Sequence, residues 1–98
     1  MTITKNIDGS HGTIVLEGRL DTLSSPDFEA AVNEVAPEVT DLVIDLKNLD
    51  YTSSAGLRVF LKTQKTMMQK GSLKIINVKE EVMDIFDVTG FTDILDIE

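Results

Sequence analysis

Residues 42–57 read Leu-Val-Ile-Asp-Leu-Lys-Asn-Leu-Asp-Tyr-Thr-Ser-Ser-Ala-Gly-Leu, which predicts a strand followed by a helix. The first five of these residues are apolar at every position but one, which indicates a strand buried on both faces. Helical spacing of apolar residues then begins near Ser54 and continues to about Gln69. Three hydroxyl side chains, Thr52, Ser53 and Ser54, therefore lie where the strand passes into the helix.

Strands and helices alternate along the rest of the chain. Further strands are predicted at residues 3–7, 13–17, 73–78 and 94–97. Two further helices are predicted, one from a cap at Ser25 to Pro37 and one over residues 80–88. The order β-β-α-β-α-β-α-β requires a hairpin followed by parallel strands with right-handed crossovers. We therefore predict an α/β fold, with one mixed sheet and helices packed on it.

The composition excludes several classes of protein. A chain of 98 residues is predicted to form one domain, residues 1–98, and the absence of cysteine excludes disulfides and thiolate metal sites. No apolar run is long enough to span a membrane, so a soluble cytoplasmic protein is expected. The net charge of −8 argues against a nucleic-acid partner, because binding to nucleic acid depends on neutralising phosphates.

Charge is distributed unevenly along the chain. Residues 1–50 contain ten acidic and three basic residues, and residues 80–98 contain seven acidic residues and no basic one. Residues 51–79, which we call the basic segment, contain six basic residues and no acidic one. This pattern is compatible with a solvated helix face or with a charged docking surface, and the sequence leaves both interpretations open.

The two adjacent serines have two possible roles. A helix start exposes unpaired backbone N–H groups and the positive end of the helix dipole, so a serine there can cap the helix or carry a phosphate. Only one of Ser53 and Ser54 can occupy the capping position, which leaves the other hydroxyl without a structural role. Asp21 follows the second strand and is expected near Ser54 if the two strands are neighbours, as a turn-forming acid or as a functional group.

An enzymatic function is not expected. The only histidine, His11, is predicted in the turn of the hairpin, and Ser54 lacks the Gly-x-Ser-x-Gly motif of serine hydrolases. The sequence contains no phosphate-binding loop, no dinucleotide-binding motif and no cluster of metal ligands. We therefore predict no catalytic residue, no cofactor and no metal.

Four segments together resemble the STAS domain, the domain of sulfate transporters and anti-sigma factor antagonists, in its single-domain bacterial form. The resemblance covers essentially the whole chain, and the four segments occur in the order of that family: Gly18-Arg-Leu-Asp21, Leu42-Val-Ile-Asp-Leu-Lys-Asn-Leu49, Tyr51-Thr-Ser-Ser-Ala-Gly-Leu57 and Ile85-Phe-Asp-Val-Thr-Gly-Phe91. The resemblance implies a mixed four- to five-stranded β-sheet with helices packed mainly on one face.

The resemblance also implies a role in transcription regulation by partner switching. The unphosphorylated antagonist would bind an anti-sigma factor that is also a serine kinase, and phosphorylation would release it until a PP2C-type phosphatase restores it. Aligned on Gly56, Ser54 takes the position of the phosphate acceptor, and Ser53 replaces the usual aspartate and is an alternative acceptor. The residues predicted to bind the partner are Asp21, Thr52, Ser53, Ser54, Ala55, Gly56 and Arg58.

Two other hypotheses remain open. The chain is also compatible with a STAS subunit that binds a small ligand, such as a nucleotide or a lipid, or that serves a transporter complex without phosphorylation. Hydrolysis through Ser54 is a third hypothesis, but it lacks a general base.

Overall fold

The computed structural model describes residues 1–98 as four strands, three α-helices and two short 3₁₀ turns. The strands are β1 (Thr2–Asp8), β2 (His11–Leu20), β3 (Asp41–Thr52) and β4 (Ser72–Ile76). The helices are α1 (Ser25–Val35), α2 (Ser54–Met68) and α3 (Glu80–Val88), and the 3₁₀ turns are Ala36–Glu38 and Phe91–Asp93.

The four strands form one mixed sheet in the order β1-β2-β3-β4. Strands β1 and β2 form an antiparallel hairpin, and β3 and β4 each run parallel to the strand before them. Parallel neighbours need a crossover connection, which α1 supplies between β2 and β3 and α2 supplies between β3 and β4. The predicted α/β class with a mixed sheet is confirmed.

Helices cover one face of this sheet. Along β3 the side chains of Leu42, Ile44 and Leu46 are fully buried, whereas Val43 and Asp45 between them are only partly buried. The same alternation occurs along β2 and β4, so every second residue points to the covered face. The predicted packing of the helices mainly on one face is confirmed, but the expectation that β3 is buried on both faces is wrong.

Three phenylalanine rings join the helices in the core. Phe60 of α2 lies between Phe28 of α1 and Phe86 of α3, with ring centroids 5.0 Å and 5.5 Å away in edge-to-face geometry. All three side chains are fully buried, together with the aliphatic residues of the covered sheet face. Edge-to-face aromatic pairs stabilise a core beyond their buried area, so Phe60 fixes where α2 lies on the sheet.

The ends of several elements differ from the prediction. Strand β3 continues to Thr52, because its pairing with β2 extends to Leu20 through two register irregularities. The predicted C-terminal strand is absent as an element, since Ile97 makes a single bridge to Ile75. In α2 the apolar spacing of Leu57, Phe60 and Leu61 predicts that Met68 also points inward, but the buried methionine is Met67, and Met68 is 63% exposed.

The first helix also begins differently from the prediction. Its cap position is Ser24, whose side chain makes no capping hydrogen bond, and Ser25 is the first helical residue. The Ser25 hydroxyl donates instead to the carbonyl oxygen of Asp21 at 2.6 Å and is buried. The prediction of Ser25 as the cap was therefore one residue late, because the preceding loop folds back on Asp21.

Candidate functional site

The carboxyl ends of β2 and β3 meet at one edge of the sheet. Leu20 pairs with Thr52 at the end of the parallel ladder, and the N–H of Ser53 donates to the carbonyl oxygen of Leu20 at 2.8 Å. This bond brings the start of α2 next to the loop that follows β2, which contains Asp21. Ligands of open α/β sheets bind at such edges. The structure thus confirms that the strands before Asp21 and Ser54 are neighbours.

Ser53 is the cap of α2. Its backbone is extended, with φ −86° and ψ 174°, and its Oγ accepts a hydrogen bond from the N–H of Gly56 at 3.3 Å. Its carbonyl oxygen accepts the first helical bond, from the N–H of Leu57 at 3.0 Å. The hydroxyl of Ser53 is therefore engaged and half-buried, as expected of an N-cap serine.

Ser54 is the first residue of α2, and its side chain is free. The residue is exposed, and its hydroxyl has no hydrogen-bond partner within the protein. The two neighbouring serines thus differ in environment: Ser53 organises the helix start and Ser54 presents an unbound hydroxyl above it. A helix start tolerates negative charge, so a phosphate on this hydroxyl is compatible with an intact helix.

Two of the residues predicted to bind the partner lie below the surface. Thr52 and Gly56 are both buried, and a methyl group built on Gly56 would collide with the Thr52 hydroxyl and with the side chain of Leu20. Thr52 and Gly56 instead allow the start of α2 to pack closely against β2. Of the others, Ala55 is half-buried and Arg58 is exposed on the next turn of the helix.

Asp21 organises the loop after β2. Its Oδ1 accepts hydrogen bonds from the N–H groups of Leu23 at 3.0 Å and Ser24 at 2.9 Å, and the Ser24 hydroxyl lies 3.0 Å from the same oxygen. The bond from the backbone N–H of Ser24, followed by the bond from its hydroxyl, lowers the pKa of the Asp21 carboxyl against the opposing effect of desolvation. The ionised carboxylate therefore holds this loop in one conformation.

Leu23, at the tip of this loop, was not identified from the sequence. Its side chain is 88% exposed, although the loop that carries it is held by Asp21. A loop already held in one conformation loses little conformational entropy on binding, which favours its exposed apolar side chain as a contact point. The available signal was an isolated leucine between Asp21 and Ser24, in a segment otherwise typical of a turn.

The basic segment does not form a single charged patch. Lys62 pairs with Glu29 at 3.4 Å, Lys74 with Glu98 at 3.3 Å and Lys79 with Asp50 at 2.6 Å. The bond to Asp50 is also the main cause that raises the pKa of Lys79. Lys70 donates to a backbone carbonyl oxygen on the turn after α1. Only Arg58 and Lys65 have no such partner, and Arg58 is the one near Ser54.

No histidine lies near the Ser54 hydroxyl. His11 begins β2, and its Nδ1 lies 3.1 Å from Asp41 Oδ2 at the start of β3, which is the opposite end of the sheet from the start of α2. No group of three or more histidine, cysteine, aspartate or glutamate side chains could hold a metal ion. Among the helices, none has both the length and the apolar character needed to span a membrane.

The STAS domain family matches residues 2–98, and the chain belongs to that family. The chain is 40% identical over 83 residues to the anti-sigma-B factor antagonist of Bacillus subtilis, across 84% of this chain and 76% of that protein. It is 33% identical over 82 residues to the anti-sigma-B factor antagonist of Staphylococcus epidermidis, across 82% of this chain and 76% of that protein.

Solved structures share the fold. An anti-sigma factor antagonist from Mycobacterium paratuberculosis has a TM-score of 0.89 at 18% identity, covering 98% of this chain and 83% of its own. SpoIIAA from Bacillus has a TM-score of 0.84 in its unphosphorylated form, at 17% identity over 99% of this chain and 88% of its own. At these identities the likeness concerns the fold alone.

Proposed function

We propose that this protein is an anti-sigma factor antagonist whose binding to its partner is switched off by phosphorylation of Ser54. Two relatives at 40% and 33% identity are named anti-sigma-B factor antagonists. The observation that carries the proposal is the free, exposed hydroxyl of Ser54 beside the occupied hydroxyl of Ser53. The protein acts as a regulatory binding protein in the cytoplasm, where sigma factors act.

In the proposed modification, this chain is a substrate and supplies only the hydroxyl. The Ser54 oxygen forms a bond to the γ-phosphorus of ATP, the bond from that phosphorus to the bridging oxygen breaks, and ADP leaves. The proton of the hydroxyl passes to a base on the kinase, since no histidine of this chain is near. A PP2C-type phosphatase reverses the step, because water attacks the phosphorus and the serine oxygen leaves with a proton.

The proposed contact surface surrounds Ser54. It comprises the exposed parts of the α2 start, at Ser53, Ser54, Ala55 and Arg58, and the neighbouring loop of Asp21. We add Leu23 as an apolar contact, because its side chain projects from that rigid loop. Full burial of one leucine side chain contributes about 1.5–3 kcal/mol, which is about tenfold to a hundredfold in affinity.

Phosphorylation would oppose this contact through charge. A phosphoserine adds about −1.5 to −2 charge at neutral pH, and Ser54 lies within the surface that the partner would cover. Like-charge contact or desolvation of the phosphate costs several kcal/mol, and each 1.4 kcal/mol is about a tenfold change in affinity. The helix start tolerates the charge, so release would occur without unfolding of the domain.

The acceptor is tested by incubation with ATP and the cognate anti-sigma factor kinase, followed by mass spectrometry of the peptides. The matched pair is Ser54→Ala, which removes the predicted acceptor, and Ser53→Asn, which removes the other hydroxyl but keeps a good capping residue. We expect one phosphate on the native protein and on Ser53→Asn, and none on Ser54→Ala. Modification of Ser54→Ala, or loss of modification in Ser53→Asn, would assign the phosphate to Ser53.

A further inference from the structure

Arg58 lies one helical turn after Ser54 on α2. Residues four apart share a face of a helix, with Cβ atoms about 5–6 Å apart. Side chains on a helix lean towards its N-terminus, so the longer side chain of the later residue points back over the earlier one. The guanidinium of Arg58 can therefore reach a group attached to the Ser54 hydroxyl.

Arg58 is also free of any carboxylate partner. It lines a groove between α1 and α2 together with Pro26, Glu29 and Ala55. Glu29 is the only acidic side chain of that groove, and it is paired with Lys62 at 3.4 Å. The other nearby acid, Asp21, has its carboxylate occupied by the N–H groups of its own loop. The cation beside Ser54 is thus exposed and unneutralised.

We propose that Arg58 is the counter-ion of the phosphate on Ser54. This inference rests on the proposed modification of Ser54 and assigns its local recognition to one residue. An arginine guanidinium presents paired N–H donors that match two phosphate oxygens, and such bonds are stronger than neutral ones. When the phosphate is added, Arg58 turns from the groove between α1 and α2 to the phosphate oxygens.

This movement would change the docking surface in two ways. The phosphate adds negative charge at the start of α2, and the groove lined by Pro26, Glu29 and Ala55 loses its free cation. A partner that places a carboxylate in this groove would lose an attractive contact as well as meeting a repulsive one. Phosphorylation of Ser54 would therefore also change the charge of the neighbouring groove between α1 and α2.

The test uses phosphoserine placed at position 54 during translation, so that it does not depend on any kinase. The second pKa of the phosphate, ordinarily about 6, is measured by phosphorus NMR titration. A nearby cation favours the dianion, so Arg58→Gln should raise this pKa by about 0.2–0.4 units relative to the native side chain. Arg58→Lys should give an intermediate value, because it keeps the charge but loses the paired donors.

Lys65→Gln is the matched control, since Lys65 is an exposed cation of α2 without an ion pair and lies further along the helix. It should leave the phosphate pKa unchanged within 0.1 units. Equal pKa values in the native, Arg58→Gln and Lys65→Gln proteins would overturn the assignment of Arg58. That result would leave the proposed function standing, because transfer of phosphate to Ser54 is tested separately with the kinase.

The guanidinium gives a second readout. In nitrogen NMR spectra, the Nε signal of Arg58 should shift on phosphoserine incorporation, and its N–H should exchange more slowly with water. The signal of Arg19, which lies over the ring of Tyr51 at 4.4 Å, is the internal comparison and should shift less than that of Arg58. An Arg58 signal that is the same in both proteins would contradict the proposal even if the pKa moved.

Discussion

The substitutions Ser53→Ala and Ser54→Ala should differ in their effect on stability, although they remove the same hydroxyl from neighbouring residues. The Ser53 Oγ accepts the N–H of Gly56 at 3.3 Å, which is long for such a bond. We therefore expect a loss in the lower half of the range for capping residues, about 0.5–1 kcal/mol. In a domain of this size, that corresponds to a fall in Tm of about 2–8 °C.

Ser54→Ala should be nearly neutral, within about 0.5 kcal/mol, because the residue is exposed, its hydroxyl is unbound and alanine favours the helix. The assay is thermal and urea unfolding followed by circular dichroism, with Ser53→Asn as the control that retains a capping oxygen. Equal losses for the two alanine variants, or a larger loss for Ser54→Ala, would refute the division of roles between these serines.

Three further predictions concern the surroundings of these serines. Gly56→Ala should lower stability by about 1–2 kcal/mol in urea unfolding, because the added methyl group meets Leu20, and an unchanged midpoint would contradict the close packing. Leu23→Ser should weaken partner binding about tenfold in calorimetry without lowering Tm. The control Met68→Ser, at another exposed apolar residue, should leave the affinity unchanged. Equal losses of affinity in the two variants would exclude Leu23 as a contact. Because the pKa of the Asp21 carboxyl is lowered in the folded protein, its ionised form contributes stability above about pH 4, and this stability is lost as the pH falls through the folded pKa. The Tm of the native protein should therefore fall more between pH 5 and pH 3 than the Tm of Asp21→Asn. Parallel falls of the two Tm values would contradict this expectation.

Local patterns predicted the elements that carry their own signals. Helix α3 has the predicted bounds Glu80–Val88, and the mixed sheet follows from the alternation of strands and helices. The end of β3 was missed because Lys47 and Asn48 interrupt the apolar run, whereas the ladder with β2 continues past them. At the C-terminus, apolar residues suggested a strand, but only Ile97 bridges β4.

The details of the site depend on contacts between distant residues. The sequence showed that only one of the two serines could cap α2, but the choice of Ser53 depends on its N–H bond to Leu20 of another strand. The basic segment is likewise uninterrupted in the sequence, because the acidic partners of Lys62 and Lys79 come from outside it, on α1 and near the end of β3. The absence of an ion-pair partner for Arg58 depends on these long-range pairs and therefore does not follow from the sequence alone.

The central claim is that charge on Ser54 controls binding of the anti-sigma factor. Its most direct test is calorimetry of the cognate anti-sigma factor against three proteins: unmodified, with phosphoserine at position 54, and with phosphoserine at the exposed position 10. Ser10 lies in the hairpin turn, at the opposite end of the sheet from Ser54. A phosphate on Ser10 therefore adds the same charge to the protein but lies away from the proposed contact surface. We expect the affinity to fall by about a hundredfold or more, which is about 2.8 kcal/mol, with phosphate at 54 and to change little with phosphate at 10. Equal affinities of all three proteins, or tighter binding with phosphate at 54, would contradict the account.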